Sequence, residues 1–447
     1  MVSLERRPNV LMFPWLAYGH IVPFVGLAKK LSDKGFIVHI CSTEINLVSI
    51  KKMIPENYSN SITLTKLLLP AADFPELPPH YHTANGLPSH LYGTLRDAFR
   101  KSKPYFANVM KTLAPNLLIY DYMNLWAEGI AHSLDIPAVR FYISSAASFS
   151  FFSHFVRNAP GVAFPFPAVY FKPHELSLMH EMKGNVKGDE KDPDENWTAP
   201  QKAVLVSTSS EIEAKYIGYM SELINCKVVP VPVASIVEVP GGGDDDAEIL
   251  DWLGKKSERS TVLVSFGSEY FLSEEEIAEI AHGLELSNVN FIWVLRFRKG
   301  EELTAEKALP HGYLDRVKEK GRVIEGWAPQ AKILNHPSIG GFVSQCGWNS
   351  ALESINFGVP IIALPGFLEQ PLNARCLVDK GVAVEIERDN GGKLRGEELA
   401  RVVGEVMGAG KRGETLKRNM KKTSEDLKLM REEEIDAAVQ ELEKLCN

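Results

Sequence analysis

Short apolar runs rich in β-branched residues alternate with longer stretches of helical period, and they do so in two separate series. The first series reads Val10–Trp15, Ile21–Lys34, Ile37–Ser42, then Leu117–Tyr120, Leu125–Leu134 and Ala138–Tyr142. The second predicts strands at Val262–Phe266, Phe291–Leu295, Val323–Glu325, Ile339–Val343 and Pro360–Leu364, with helices at Ser273–Leu286 and Ser350–Phe357. Strand-length runs that are apolar throughout, rather than at every second position, belong to strands buried on both faces. Helices between them give a parallel sheet of the doubly wound α/β class.

The segment Val228–Asp246 carries prolines, three glycines and an acidic run without periodicity, the composition of a linker. A chain of 447 residues, at about 150 per domain, holds two to three domains. The expected organisation is an N-terminal domain over 1–235, a linker over 236–246 and a second domain over 247–430. A charged C-terminal helix over 431–447 follows, with packing back on the N-terminal domain as one arrangement open to it. Two Rossmann-like halves facing a cleft would bind ligands at the carboxyl ends of their strands.

Composition removes other classes. Lys and Arg number 49 against 57 Asp and Glu, a net charge of −8, and no dense basic block is interleaved with aromatics, which argues against a nucleic-acid partner. No apolar run approaches the roughly 18 residues of a membrane span, and the N-terminus lacks the apolar core of a secretory signal. No membrane partner and a cytoplasmic location are expected. The five cysteines include no C-x-x-C pair, so reduced thiols are expected rather than a disulfide framework or zinc site. His80, His82 and His90 lie in a proline-rich stretch without a carboxylate at a set spacing, and Asp244–Asp246 reads as a solvated acidic loop, so no metal site is expected. A G-x-G-x-x-G after the first strand and a G-x-S-x-G elbow are both missing, against a dinucleotide dehydrogenase and a serine hydrolase.

Several polar residues fall where strands end. Strand Ile339–Val343 runs into Cys346-Gly-Trp-Asn-Ser350, and Ser350-Ala-Leu-Glu353 has the capping-box pattern of a helix start. A helix N-terminus at a strand's carboxyl end is an anion site, although the same two residues could do no more than cap. His20 follows the first strand within Phe13-Pro-Trp-Leu-Ala-Tyr-Gly-His-Ile-Val-Pro-Phe24. Asp121 ends the strand at Leu117, where a helix cap is its other reading, and Val262-Leu-Val-Ser-Phe-Gly-Ser268 is a further strand ending in small polar residues. The aromatics between Phe141 and Phe171, Phe149 and Phe152 among them, are expected to divide between the core and the lining of an apolar ligand pocket.

The stretch from Trp327 to Gln370 closely resembles the nucleotide-sugar box of the plant family 1 UDP-glycosyltransferases, and the resemblance extends from residue 9 to about residue 430. It implies the two-domain GT-B fold. It also implies that Trp327 stacks on uracil, that the Ala328 backbone bonds the base, and that Glu353 holds the ribose. Asn349 and Ser350 match diphosphate positions, Gln330 falls in the same donor site, and Trp348, Glu369 and Gln370 match contacts to the sugar hydroxyls. The terminal Gln usually accompanies UDP-glucose. By the same resemblance, Ser268 reaches the phosphates, His20 in Gly-His-x-x-Pro is the general base, and Asp121 pairs with it. Ser144 stands near where relatives carry a donor-sugar Thr.

One position departs from the family pattern: Gln345 precedes Cys346 where the family has His, so a neutral amide replaces a group that can become cationic. Weakened donor binding is the expectation. Pro78–Pro88 looks most like members that add a sugar to an existing sugar. The expected activity is inverting, metal-independent transfer of glucose from UDP-glucose to a small apolar plant glycoside by a monomer, with no cofactor. Direct glucosylation of an aglycone, use of UDP-xylose or UDP-rhamnose, and a catalytically silent UDP-sugar-binding protein are the rivals.

Overall fold

A computed structural model of the chain describes residues 7–178, 200–233, 244–298 and 303–446. The apolar runs form two sheets in which every strand pair is parallel. The first holds β1 (Asn9–Phe13), β2 (Ile37–Ser42), β3 (Ile62–Lys66), β4 (Leu117–Asp121), β5 (Ala138–Tyr142), β6 (Ala203–Val206) and β7 (Lys227–Pro230), in the order β3-β2-β1-β4-β5-β6-β7. The second holds β8 (Thr261–Ser265), β9 (Asn290–Leu295), β10 (Gly321–Glu325), β11 (Ile339–Ser344), β12 (Ile361–Ala363) and β13 (Ala383–Glu385), in the order β10-β9-β8-β11-β12-β13. Strand order reverses between β1 and β4 in one sheet and between β8 and β11 in the other. Doubly wound sheets open a ligand crevice at that reversal.

Both faces of the second sheet are covered, as its continuous apolar strands require. Val262 and Val264 of β8 pack with Ile280, Leu284, Val402 and Val403 from the helices Glu274–Ser287 and Gly396–Met407. Leu263, between them in sequence, points to the opposite face and packs with Leu253, Ile333 and Phe342. In the first sheet, Leu11 and Phe13 of β1 share a core with Leu118 and Tyr120 of β4, and Phe13 stacks on Phe106 with ring centroids 4.1 Å apart.

The chain divides into two compact units. Residues 7–160, 200–233 and 430–446 belong to the first, and 161–178 and the described residues from 244 to 429 belong to the second. The expected N-terminal domain ran unbroken to residue 235, whereas 161–178 groups with the second sheet. Of the expected linker, 236–243 lie outside the described residues. Asp244–Asp246, expected as a solvated loop, instead begin the helix Asp244–Gly254, and Asp246 is buried with its carboxylate 3.1 Å from Lys332 Nζ. The C-terminal helix is one element, Lys411–Cys446, with no break at 430/431. Its last part packs in the first unit, where Glu432 pairs with Lys30 and Glu441 with Lys227. Among the described residues no helix is long and apolar enough to cross a membrane.

Candidate active site

The helix Tyr18–Asp33 begins three residues earlier than the sequence pattern predicts, because the Tyr18 N–H donates to Asn85 Oδ1 at 2.9 Å, a cap supplied from 67 residues away. His20 is therefore in the helix's first turn rather than in a loop. That turn follows β1, and Asp121 closes the adjacent β4, so the two residues meet at the reversal of the first sheet. His20 Nδ1 lies 2.8 Å from Asp121 Oδ2, with the imidazole 14% exposed and the carboxylate fully buried. Asp121 does not cap a helix. Its Oδ2 also accepts from the Trp15 N–H at 3.3 Å, and its Oδ1 accepts from the Met123 N–H at 2.9 Å. A buried carboxylate with only donors around it fixes the imidazole tautomer, Nδ1 protonated and Nε2 bearing the lone pair.

The imidazole also has an aromatic neighbour that sequence reasoning missed. Tyr122 stacks on His20 at 5.7 Å between centroids and 26° between planes, and on Tyr142 at 5.8 Å and 21°. Phe149 packs against both tyrosines, at 4.9 and 4.2 Å. Phe152 is at the exposed side of its helix against Phe151, and Ser144 is buried with its Oγ 3.5 Å from that of Ser148. Phe149 thus joins the His20 cluster, while Phe152 packs on Phe151 and Ser144 lies beside Ser148.

In the second unit, the equivalent reversal gathers the end of β8 and the turn after β11. The helix there is Trp348–Phe357, with Gly347 as N-cap and no side-chain cap. The expected capping box is not formed, because Ser350 is the helix's third residue and not its cap. Ser350 Oγ and Glu353 Oε2 instead both accept from Gln330 Nε2, at 3.1 and 2.8 Å. Two predicted donor residues are thereby joined by a third, Gln330, from a different helix, Gln330–Leu334. Burial pushes the Glu353 carboxyl up to about 7 against the opposing effect of the Gln330 bond.

Gln345 is buried, and its Nε2 lies against Gly267 and Gly347, so its amide sits between the β8 and β11 turns. Ser268, half-buried, follows Gly267. Cys346 adopts φ 64°, a left-handed conformation held by the bond from its N–H to Ser344 Oγ at 3.1 Å and from Asn373 Nδ2 to its carbonyl at 3.1 Å. Burial pushes its thiol upward, away from nucleophilic use. Asn349 is in the helix's first turn, and the Trp348 indole beside it is buried. Gln370 Oε1 accepts from the N–H groups of Gly366 and Phe367 at 3.1 and 3.3 Å, holding the turn after β12, and Glu369 is the N-cap residue of the helix Gln370–Lys380.

Trp327 is exposed, and Ala328 behind it is buried. The Arg296 guanidinium lies 5.2 Å from the Trp327 ring centroid, and its Nε donates to the Gly326 carbonyl at 2.9 Å. Arg296 was also missed from sequence. The register Leu295↔Glu325 between β9 and β10 puts it there, and pairing of distant strands is not written in local pattern. Among the described residues no group of three His, Cys, Asp or Glu side chains comes together as a metal-binding cluster.

The family model for UDP-glucoronosyl and UDP-glucosyl transferases matches residues 242–440. The chain is 47% identical to the beta-D-glucosyl crocetin beta-1,6-glucosyltransferase of Gardenia jasminoides, over 97% of this chain and 98% of that one. It is 42% identical to the flavanone 7-O-glucoside 2''-O-beta-L-rhamnosyltransferase of Citrus maxima, over 99% and 98%. Phytolacca americana UGT2, solved with UDP-2fluoro-glucose and pterostilbene, superposes with a TM-score of 0.77 at 27% identity, covering 98% of this chain and 99% of that one. Two parallel Rossmann-like sheets and this breadth of identity make the chain a GT-B enzyme of the plant family 1 UDP-glycosyltransferases.

Proposed function

We propose that the enzyme transfers glucose from UDP-glucose to a hydroxyl of a sugar already attached to a small apolar body. The observation that carries this reading is the 2.8 Å contact between His20 and the buried Asp121 at the reversal of the first sheet. With Nδ1–H committed to the carboxylate, Nε2 takes the proton of the acceptor hydroxyl. The hydroxyl oxygen attacks the anomeric carbon from the face opposite UDP. The bond from that carbon to the diphosphate oxygen breaks, and UDP leaves with its electron pair. The α-linked donor becomes a β-glycoside, and the proton rests on an imidazolium that Asp121 stabilises.

On the donor side, Trp327 serves as the uracil platform with the Ala328 backbone at the base edge, and Glu353 accepts from the ribose. The first turn of Trp348–Phe357 offers Asn349 and Ser350 to the diphosphate, with Ser268 and the Gln345 amide beside it. Gln345 donates without carrying charge, so the helix dipole supplies most of the favourable field for the leaving UDP. Trp348, Glu369 and Gln370 face the donor sugar. No metal ion or cofactor enters the reaction. Support for an acceptor that already carries a sugar comes from the two relatives, both named for such acceptors. The Citrus relative is named for a rhamnosyl transfer, which keeps UDP-rhamnose as the second donor to test.

Mass spectrometry of reactions with UDP-glucose, and separately UDP-rhamnose, over a panel of aglycones and their monoglucosides tests the reading. A hexose gain on monoglucosides alone is expected. Gain on aglycones alone assigns the direct glucosyltransferase instead, and UDP binding without any product assigns a silent binder. His20→Ala is expected to lower kcat by about 10²- to 10⁴-fold with UDP affinity retained, and loss of UDP affinity in parallel would remove the base role.

A further inference from the structure

Asp121 and Tyr122 are consecutive in the chain, yet both reach the same imidazole. Asp121 is the last residue of β4, and the chain turns at Tyr122, so the usual strand alternation no longer separates the two side chains. Asp121 takes the edge of the His20 ring through Nδ1, and Tyr122 takes its face. The two contacts constrain different motions. One hydrogen bond fixes the direction of Nδ1–H but leaves the ring able to roll about the Nδ1···Oδ2 line, and rolling sweeps Nε2 sideways. A parallel aromatic face opposes that roll.

Tyr122 is itself held. Its ring stacks on Tyr142, whose hydroxyl accepts from Arg140 NH1 at 3.3 Å. Arg140 is 1% exposed and cannot wander. Its Nε donates to the Tyr120 hydroxyl at 3.2 Å and its NH2 to Glu128 Oε2 at 3.2 Å. Phe149 presses on both tyrosine rings from the side. A column of contacts therefore runs from a buried ion pair in the core of the first unit to the face of His20.

We propose that Tyr122 is a positioning residue for the general base, holding the plane of the His20 imidazole so that Nε2 stays aimed at the acceptor hydroxyl, with Tyr142 and Arg140 as its anchor. The inference rests on His20 acting as the base. The ring does the holding, and its negative face also favours the imidazolium formed as the proton arrives. The phenolic oxygen of Tyr122 is not needed for either.

Steady-state kinetics with UDP-glucose and a flavanone 7-O-glucoside or glucosyl crocetin, whichever the unmodified enzyme turns over, test it. Tyr122→Leu removes the flat face, and kcat is expected to fall about ten- to hundredfold, the scale of a misaimed catalytic group, with acceptor KM and UDP affinity within twofold. Tyr122→Phe keeps the ring and is expected to retain kcat within about threefold. Tyr142→Phe loosens the anchor alone and is expected to fall between the two. Should the leucine variant not fold, Tyr122→Met fills the same space without a flat face and gives the same test. A rise in acceptor KM at constant kcat would overturn the proposal by making Tyr122 an acceptor contact, and so would an unchanged kcat or equal losses in the Leu and Phe variants. If His20→Ala retains turnover, the base reading fails. If it is inactive while Tyr122→Leu keeps full kcat, the positioning role alone fails.

Discussion

Gln345 and Gly267 fit together only because Gly267 has no side chain: a Cβ there would collide with Gln345 Nε2. Gly267 also has φ 69°, a left-handed conformation. The glycine thus shapes the β8 turn and admits the amide that replaces the family's histidine. Gly267→Ala adds about 1–2 kcal/mol of backbone strain and forces Gln345 aside. Affinity for UDP in calorimetry is expected to drop about tenfold or more, with the strands of the first sheet unchanged in hydrogen exchange. A variant with unaltered UDP affinity would place Gln345 outside the diphosphate site. Gln345→His restores a group that can become cationic and is expected to tighten UDP-glucose or raise kcat, more so below pH 7.

Trp327 rests against the Arg296 guanidinium, which is tied to the Gly326 carbonyl. The cation braces the indole plane at an exposed site, an interaction of about 0.5–1 kcal/mol. Arg296→Ala is therefore expected to weaken UDP about two- to fivefold. Trp327→Ala removes the proposed base stack, about 1–3 kcal/mol, and is expected to weaken UDP by about 5- to 150-fold. Binding of a nucleotide-free sugar phosphate is expected to be unaffected by either, and equal losses there would show that the platform does not face the base.

The sheets were legible because a parallel strand buried on both faces has no choice but to be apolar throughout, and Val262–Ser265 or Leu117–Asp121 announce themselves. The end of each strand at a sheet reversal then pointed to the candidate site. What local pattern missed was supplied from far away in sequence. Helix Tyr18–Asp33 starts early because Asn85 caps it, and this carries His20 into the first turn. Ser350 and Glu353 read as a capping box, but Gln330 recruits both and Gly347 takes the cap position. Tyr122 and Arg296 carry no motif. Their places follow from a turn after β4 and from the pairing of β9 with β10.

Glu353 gives the donor site a pH dependence of definite sign. Burial raises its carboxyl to about 7, whereas unfolded it ionises near 4.3, as glutamate ordinarily does. Between those values the folded state binds the extra proton, so stability falls as pH rises toward 7 and is flat above it. In the role proposed for Glu353, ribose hydroxyls donate to the ionised form. Binding of UDP-glucose is thus expected to expel a proton, and affinity should rise from pH 6 to pH 8. Calorimetry in buffers of different ionisation enthalpy reads the proton directly. Glu353→Gln is expected to flatten both profiles, and a slope that survives the substitution would assign the titration to another group.

Arg375 explains why residues 161–178 belong with the second sheet. Its guanidinium holds Glu175 through two bonds of 2.8 and 2.7 Å, donates to the Tyr170 carbonyl at 2.6 Å, and lies 4.6 Å from the Tyr170 ring centroid. Both charged side chains are about 5% exposed, 4% and 6%, so neither has water to fall back on. Lys172 extends the clamp to Glu385 and Glu387 at 2.8 and 2.6 Å. Arg375 NH2 also reaches Glu385 Oε1 at 3.2 Å, so removing Glu175 leaves the buried guanidinium short of one carboxylate and two bonds, at a cost toward the lower end of about 3–5 kcal/mol. Glu175→Ala is expected to destabilise the second unit by that amount and to speed amide exchange across 170–178 and 375–387, while exchange in β1, β4 and β5 stays slow. Replacing both partners by Met removes the under-paired guanidinium along with the bonds, leaves Glu385 with Lys172, and is expected to recover much of the loss. A Glu175→Ala variant that loses less than about 1 kcal/mol would mean the pair is screened as an exposed one is, and that Tyr170 packing alone holds the segment in place.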